Sequence, residues 1–246
     1  MTRVALALGL LGLLGGCGED AEPAATEPVE AVEPTAPTGE LRGPTGEAVD
    51  CSGAPDDPDE VDQLAQAAAA GDLAGSITGL EALCGAHPRS SSARVRLGEL
   101  LLRTQPPRAE DAQGWFDRAL ALHERGCELG FRDHWAALEG QGLSRMIRGS
   151  YGDAIAPLRE SLRRWPGSRA THYNLACALC QTGDLDGCAR ELEAVLGPLE
   201  APDFLSNDTR PPAHYRTLIE RDPDLAPLRA DATRYEALTA RIGSTP

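Results

Sequence analysis

Four pairs of residues recur at a separation of 34: Gly142 with Ala176, Gly149 with Gly183, Ala154 with Cys188, and Leu158 with Leu192. A period of that length marks one supersecondary unit that cannot bury its apolar face alone, so the chain is expected to stack such units around a shared core. Farther upstream the spacing loosens. Leu80 to Phe116 and Leu83 to Ala119 are 36 apart, and Gly98 to Gly142 is 44, as if small insertions separate equivalent helices. Within each unit the glycines of Gly71-Asp72, Gly149-Ser150 and Gly183-Asp184 fall where a helical hairpin needs φ > 0. Gly98, Gly142 and Ala176 on first helices, with Ala112 and Ala154 on second helices, allow close approach, and Leu158 and Leu192 fill the groove between paired helices. Asp57-Pro58-Asp59-Glu60 reads as a helix start, with an N-cap, Pro at N1 and Glu at N3. Aromatic residues are only 4% of the 246, which argues against a sandwich or barrel and for an all-α fold.

These residues resemble the tetratricopeptide repeat, a 34-residue helix–turn–helix with Trp-x₂-Leu-Gly-x₂-Tyr, Ala-x₃-Phe and a terminal Pro. Leu97-Gly98 followed by Leu101, Ala112, Phe116 and Ala119 matches, as does Leu175-Ala176 followed by Leu179, Gly183, Cys188 and Leu192. A third unit keeps Gly142, Gly149, Ala154, Leu158 and Pro166 but carries Gln141 and Arg145 where large apolar residues are usual; the first has Leu64, Gly71, Leu80, Leu83 and Pro88. The resemblance implies an α-solenoid of about four repeats, at about 57–90, 91–126, 135–168 and 169–200, closed by a helical capping segment over 201–246. In that segment Pro202, Pro211 and Pro212 mark a loop, and Ala213–Glu220 and Leu225–Arg241 read as helices. The run from Asp222 to Arg229 resembles a tail that follows bacterial repeats and covers the last hydrophobic face.

The N-terminus reads as an address. Met1-Thr2-Arg3 is a positive n-region, and Val4–Gly16 is apolar or Gly; as a helix these thirteen residues would rise about 20 Å, too short for a hydrocarbon core of about 30 Å. Leu14-Gly15-Gly16-Cys17 resembles the lipobox of bacterial lipoproteins, which implies cleavage of a signal peptide over 1–16 and acylation of Cys17. Gly18 in place of Asp implies sorting to the outer membrane, facing the periplasm. Residues 17–56 are expected to form a disordered acidic tether. Residues 18–60 hold thirteen acids and one Arg, a net of −12. Arg3 adds one positive charge and the chain totals −15, which leaves 61–246 at −4. That balance gives no drive toward nucleic acid, and membrane association is expected through the lipid alone.

Chemistry is sparse. All 23 basic residues are Arg, which excludes a Walker P-loop, a Schiff-base lysine and the kinase β3 lysine. His87, His123, His134, His172 and His214 are isolated in sequence and form no HExxH, and no Ser lies in G-x-S-x-G, so neither catalytic residues, a metal site nor a cofactor is expected. Besides Cys17 there are six cysteines, at 51, 84, 127, 177, 180 and 188, an even number for an oxidising compartment. At least one disulfide is expected among Cys177, Cys180 and Cys188, with the pairing open; the same three, with His172 nearby, carry the alternative of a thiol-redox or metal-handling accessory protein. The phase of the repeat places Val95, Glu99, Leu102 and Arg103, then Glu139, Leu143 and Met146, then Tyr173, Cys177 and Gln181 on the concave face, suited to a protein or peptide ligand. Some members of the resembled family clamp a C-terminal carboxylate with Lys, Asn and Arg; the absence of Lys, with Glu99 and Glu139 in the groove, argues against that clamp here.

Overall fold

A computed structural model of the chain describes residues 51, 58–127, 129–197 and 212–243. The signal segment, Cys17, the acidic tether apart from Cys51, Asp57 and the 198–211 loop lie outside the described residues. Eight helices pair into four hairpins: α1 (Glu60–Ala69) with α2 (Leu73–Ala86), α3 (Ser91–Leu102) with α4 (Ala109–Glu124), α5 (Phe131–Ile147) with α6 (Tyr151–Arg164), and α7 (Arg169–Gln181) with α8 (Leu185–Leu196). Then come α9 (Pro212–Arg221), a 3₁₀ turn at Pro223–Leu225, α10 (Ala226–Ala230) and α11 (Ala232–Gly243). There is no strand among the described residues. Each helix packs on its neighbour in sequence, and the contacts that skip a helix within the hairpins run between first helices, α1 with α3, α3 with α5 and α5 with α7. First helices therefore share one side, as in an α-solenoid.

Local chemistry sets the hairpin ends. The turn glycines Gly71, Gly149 and Gly183 take φ of +113°, +81° and +87°. The second and fourth hairpins open on Ser90 and Ser168, whose hydroxyls accept from Ala93 N–H (3.1 Å) and Thr171 N–H (3.2 Å). Asp72 and Asp184 do the same for α2 and α8, accepting from Gly75 N–H (2.9 Å) and Gly187 N–H (2.8 Å). The first helix starts at Glu60: Asp59 makes no side-chain cap bond, and a turn from Val61 N–H to the Pro58 carbonyl (3.1 Å) begins the helix. The third hairpin begins at Phe131, four residues ahead of the sequence estimate.

Helix contact is closest where Cβ atoms are missing. A Cβ on Gly98 would lie 2.7 Å from the Phe116 ring, one on Gly142 would lie 2.6 Å from Leu158, and one on Gly140 would strike the same Phe116 ring from α5. The Phe116 ring thus occupies space vacated by two glycines on successive first helices. The unusual polar residues of the third unit are also put to use. Pro157 inside α6 has no N–H, so the Asp153 carbonyl one turn earlier loses its helical donor; Arg145 Nη1 of α5 donates to it at 2.9 Å. Gln141 donates to Asp117 of α4 at 2.6 Å.

The C-terminal segment covers the last hairpin: α9 and α11 pack on α8, and the 3₁₀ turn and α10 on α7. The sequence expectation of one helix over Leu225–Arg241 is corrected to two, because Asp231 leaves helical backbone (ψ 87°) and caps α11 by accepting from Arg234 N–H at 3.1 Å. A Cβ at position 140 has no room, and overpacking of this kind is expected to destabilise by about 1–3 kcal/mol. Gly140→Ala should lower the melting temperature, and Phe116→Leu in the same chain should recover part of the loss; additive losses would show that the ring and the glycine do not share the contact.

Candidate functional site

The concave row is where sequence phase put the ligand surface, and the structure divides it. Val95, Leu102, Leu143 and Met146 are buried in the core, none more than 3% exposed. They are corrected from groove anchors to packing residues, because neighbouring first helices lie close enough to cover each other's inner faces. Glu139 is buried as well, accepting from the Thr171 hydroxyl of α7 at 2.8 Å, and that hydroxyl lies 2.9 Å from Ser168 Oγ. Glu99, Arg103 and Gln181 remain half-buried.

The polar members of the row join one hairpin to the next. Arg96, on the same helix, bonds Glu99 at 2.8 Å and Asp133 of α5 at 3.2 Å. Burial works against the Arg96 charge, yet Glu99 and Asp133 together push its pKa up. Arg103 donates to the Ala68 carbonyl of α1 at 3.3 Å. Tyr173, placed by the repeat phase on the concave ligand face, is buried: its hydroxyl donates to Asp222 at 2.6 Å, and Gln181 donates to the Asp224 carbonyl at 2.8 Å. At the fourth hairpin the inner face is occupied by the chain's own C-terminal turn.

The cysteines resolve into two disulfides. Cys180 pairs with Cys188 across the α7–α8 hairpin, and Cys51 pairs with Cys127 over a separation of 76 residues. The second pairing was missed by reasoning confined to Cys177, Cys180 and Cys188; the even count of six cysteines besides Cys17 was the available signal. Cys177 and Cys84 stay as buried thiols. Burial pushes Cys84 up to about 11 and Cys177 well above its ordinary value, which disfavours the nucleophilic thiolate. His172 binds Glu191 at 2.6 Å and the Pro166 carbonyl at 3.0 Å, and among the described residues no three metal-ligating groups converge. Of the three cysteines in the alternative reading, Cys180 and Cys188 are therefore joined to each other and Cys177 stands beside them as a buried thiol.

Histidines isolated in sequence are not all isolated in space. His123 in the last turn of α4 and His134 in the first turn of α5 meet edge to face, ring centroids 4.3 Å apart, beside the Cys51–Cys127 corner. Phe131, 51% exposed, meets Trp165 at 5.9 Å at the same end of the third hairpin.

Comparison with known proteins agrees with this architecture. No protein-family model matches the chain. Tetratricopeptide repeat protein 34 of Homo sapiens is 32% identical over 115 residues, 46% of this chain. The chain spans 19% of the length of that curated relative. Stacked helical hairpins and this likeness together describe a tetratricopeptide-like helical repeat, an architecture that serves generally as a protein-interaction scaffold. No helix among the described residues is long and apolar enough to cross a membrane.

Burial, with Arg164 and His123 adding repulsion and Glu160 opposing them, lowers the His134 pKa from 6.5 to about 4. The folded chain excludes a proton that the unfolded chain takes up, so this contribution to stability is complete above pH 6.5 and is lost as pH falls from 6.5 toward 4. His134→Gln should flatten the fall in melting temperature between pH 7 and 4.5 relative to wild type; parallel profiles would remove His134 from the acid response.

Proposed function

We propose that this chain is a protein-binding scaffold anchored in a bacterial cell envelope by a lipid on Cys17, facing the periplasm from the outer membrane. The observation that supports it most is the stack of first helices, whose inner faces are stitched by polar contacts and keep Glu99 and Arg103 half-buried for a partner segment. The anchoring part rests on the order of n-region, h-region and Cys17 in the sequence. The two disulfides suit an oxidising compartment.

Two measurements test the halves separately. Cys17→Ser removes the acyl acceptor, so the chain should leave washed membranes or stay unprocessed; normal retention would end the lipoprotein reading. Affinity capture from envelope extracts should lose its main partner when Glu99→Ala and Arg103→Ala are combined with helicity intact. Replacing 18–50 by a neutral Gly/Ser linker should leave capture unchanged, because exposed charge is screened over about 8 Å at physiological salt. The reverse pattern would move binding to the acidic segment.

A further inference from the structure

The 3₁₀ turn at Pro223–Leu225 sits on α7 as a bound segment would. Two carboxylates two residues apart are each taken by a phenol: Tyr173 of α7 donates to Asp222 at 2.6 Å, and Tyr151 at the start of α6 donates to Asp224 at 2.8 Å. Gln181, two turns beyond Tyr173 on α7, donates to the Asp224 backbone carbonyl at 2.8 Å, so side chain and main chain are both read. Leu225 follows and is fully buried. Asp222 and Asp224 are 1% and 4% exposed, a degree of burial that carboxylates reach only against matched donors. The strap also holds its own shape: Asp222 accepts from Asp224 N–H at 2.9 Å, and Arg229 donates to the Asp222 carbonyl at 2.7 Å. Pro223 and Pro227 limit what the segment loses on docking.

We propose that Tyr151, Tyr173 and Gln181 form a recognition site for an internal acidic segment of the pattern carboxylate, any residue, carboxylate, Leu, and that the C-terminal strap is its resident intramolecular occupant. A partner segment of the same chemistry binds there by displacing the strap, so the last hairpin is closed until such a partner competes. This inference rests on the scaffold reading above and names the class of partner. All three contacts reach backbone or internal side chains, so the site needs no free C-terminus. The strap is covalently attached, which gives it an effective concentration of about millimolar against any free competitor.

The probe is a blocked peptide of the chain's own Ile219–Ala230 sequence, followed by fluorescence anisotropy against the full-length chain. Binding to wild type should be at least tenfold weaker than to a variant whose strap is loosened by Asp222→Ala with Leu225→Ala, because the intact strap competes. Adding Tyr151→Phe and Tyr173→Phe to that variant should weaken peptide binding by a further tenfold or more, and a peptide with both Asp replaced by Ala should not bind. A loosened variant that keeps its helicity yet fails to bind, or binds equally without the two hydroxyls, would reduce the strap to plain packing. Should the variant unfold, hydrogen exchange on wild type decides: millimolar peptide should speed exchange of the 222–230 amides while the Ala-substituted peptide does not, and unchanged exchange overturns the proposal. Failure of the peptide with affinity capture by the full chain intact removes this site and leaves the scaffold standing.

Discussion

Phe116 fixes the geometry from which the rest of the solenoid follows. Its ring lies against Gly98 of its own hairpin and Gly140 of the next, filling at each the position where a Cβ would otherwise stand. One side chain therefore sets two distances, that within the second hairpin and that between the second and third. The Gly142–Leu158 contact repeats the arrangement inside the third hairpin, where a Cβ would come within 2.6 Å of the leucine. Aromatic and leucine knobs against bare backbone permit helices to approach more closely than side-chain-to-side-chain packing allows. Close approach then brings the inner faces of α3, α5 and α7 together, which buries Val95, Leu143 and Tyr173 and takes the polar residues there partly or wholly out of water.

That burial explains why the inner row is so fully paired. A charged or amide group taken from water at this depth needs a partner on the neighbouring helix, and Arg96 with Asp133, Arg103 with Ala68 and Glu139 with Thr171 each supply one across a hairpin boundary. The apolar contacts inside a hairpin are indifferent to small rotations; these bonds are directional, so they fix the angle at which successive hairpins stack. On the proposed reading, binding surface and stacking are thus built from the same residues. A partner on this face would engage side chains already held in place, and less side-chain entropy would remain to be lost.

The repeat period, the all-α class and the turn glycines were legible because they are properties of spacing, and spacing survives whatever the tertiary structure does. Gly98 and Gly142 announced themselves as positions of close approach and Leu158 as the residue filling the groove, whereas Phe116 showed only as a matched repeat position. Which face of a first helix meets solvent was not legible. Phase put Leu143 and Tyr173 on the inner side, where they are, but only the closeness of neighbouring helices and the position of the Asp222 strap determine that this side is closed to them. Arg145 looked like a defect in a repeat pattern because its partner is a carbonyl freed by Pro157, and that relation spans two helices. Cys51 was out of reach for a similar reason. Its partner lies 76 residues away, and only the fold shows that the α4–α5 corner passes the start of the solenoid.

The Cys51–Cys127 bridge changes what the acidic segment can do. It ties Cys51 to the corner between the second and third hairpins, whereas the first helix of the solenoid, α1, stands at one end of the stack. On the proposed anchoring, and with the tether that composition predicts, the span from Cys17 to Cys51 would reach about 30–35 Å root-mean-square as a random coil, and further with its like charges. A solenoid held near its middle can present both ends, and its inner face, to a partner beside the membrane, whereas one held by its first helix would swing about that end. The bridge also closes a long loop, which in the chain-entropy account restricts the unfolded state by about 4 kcal/mol. On the proposed anchoring, attachment and stability therefore meet at one covalent bond, and both would depend on its staying oxidised.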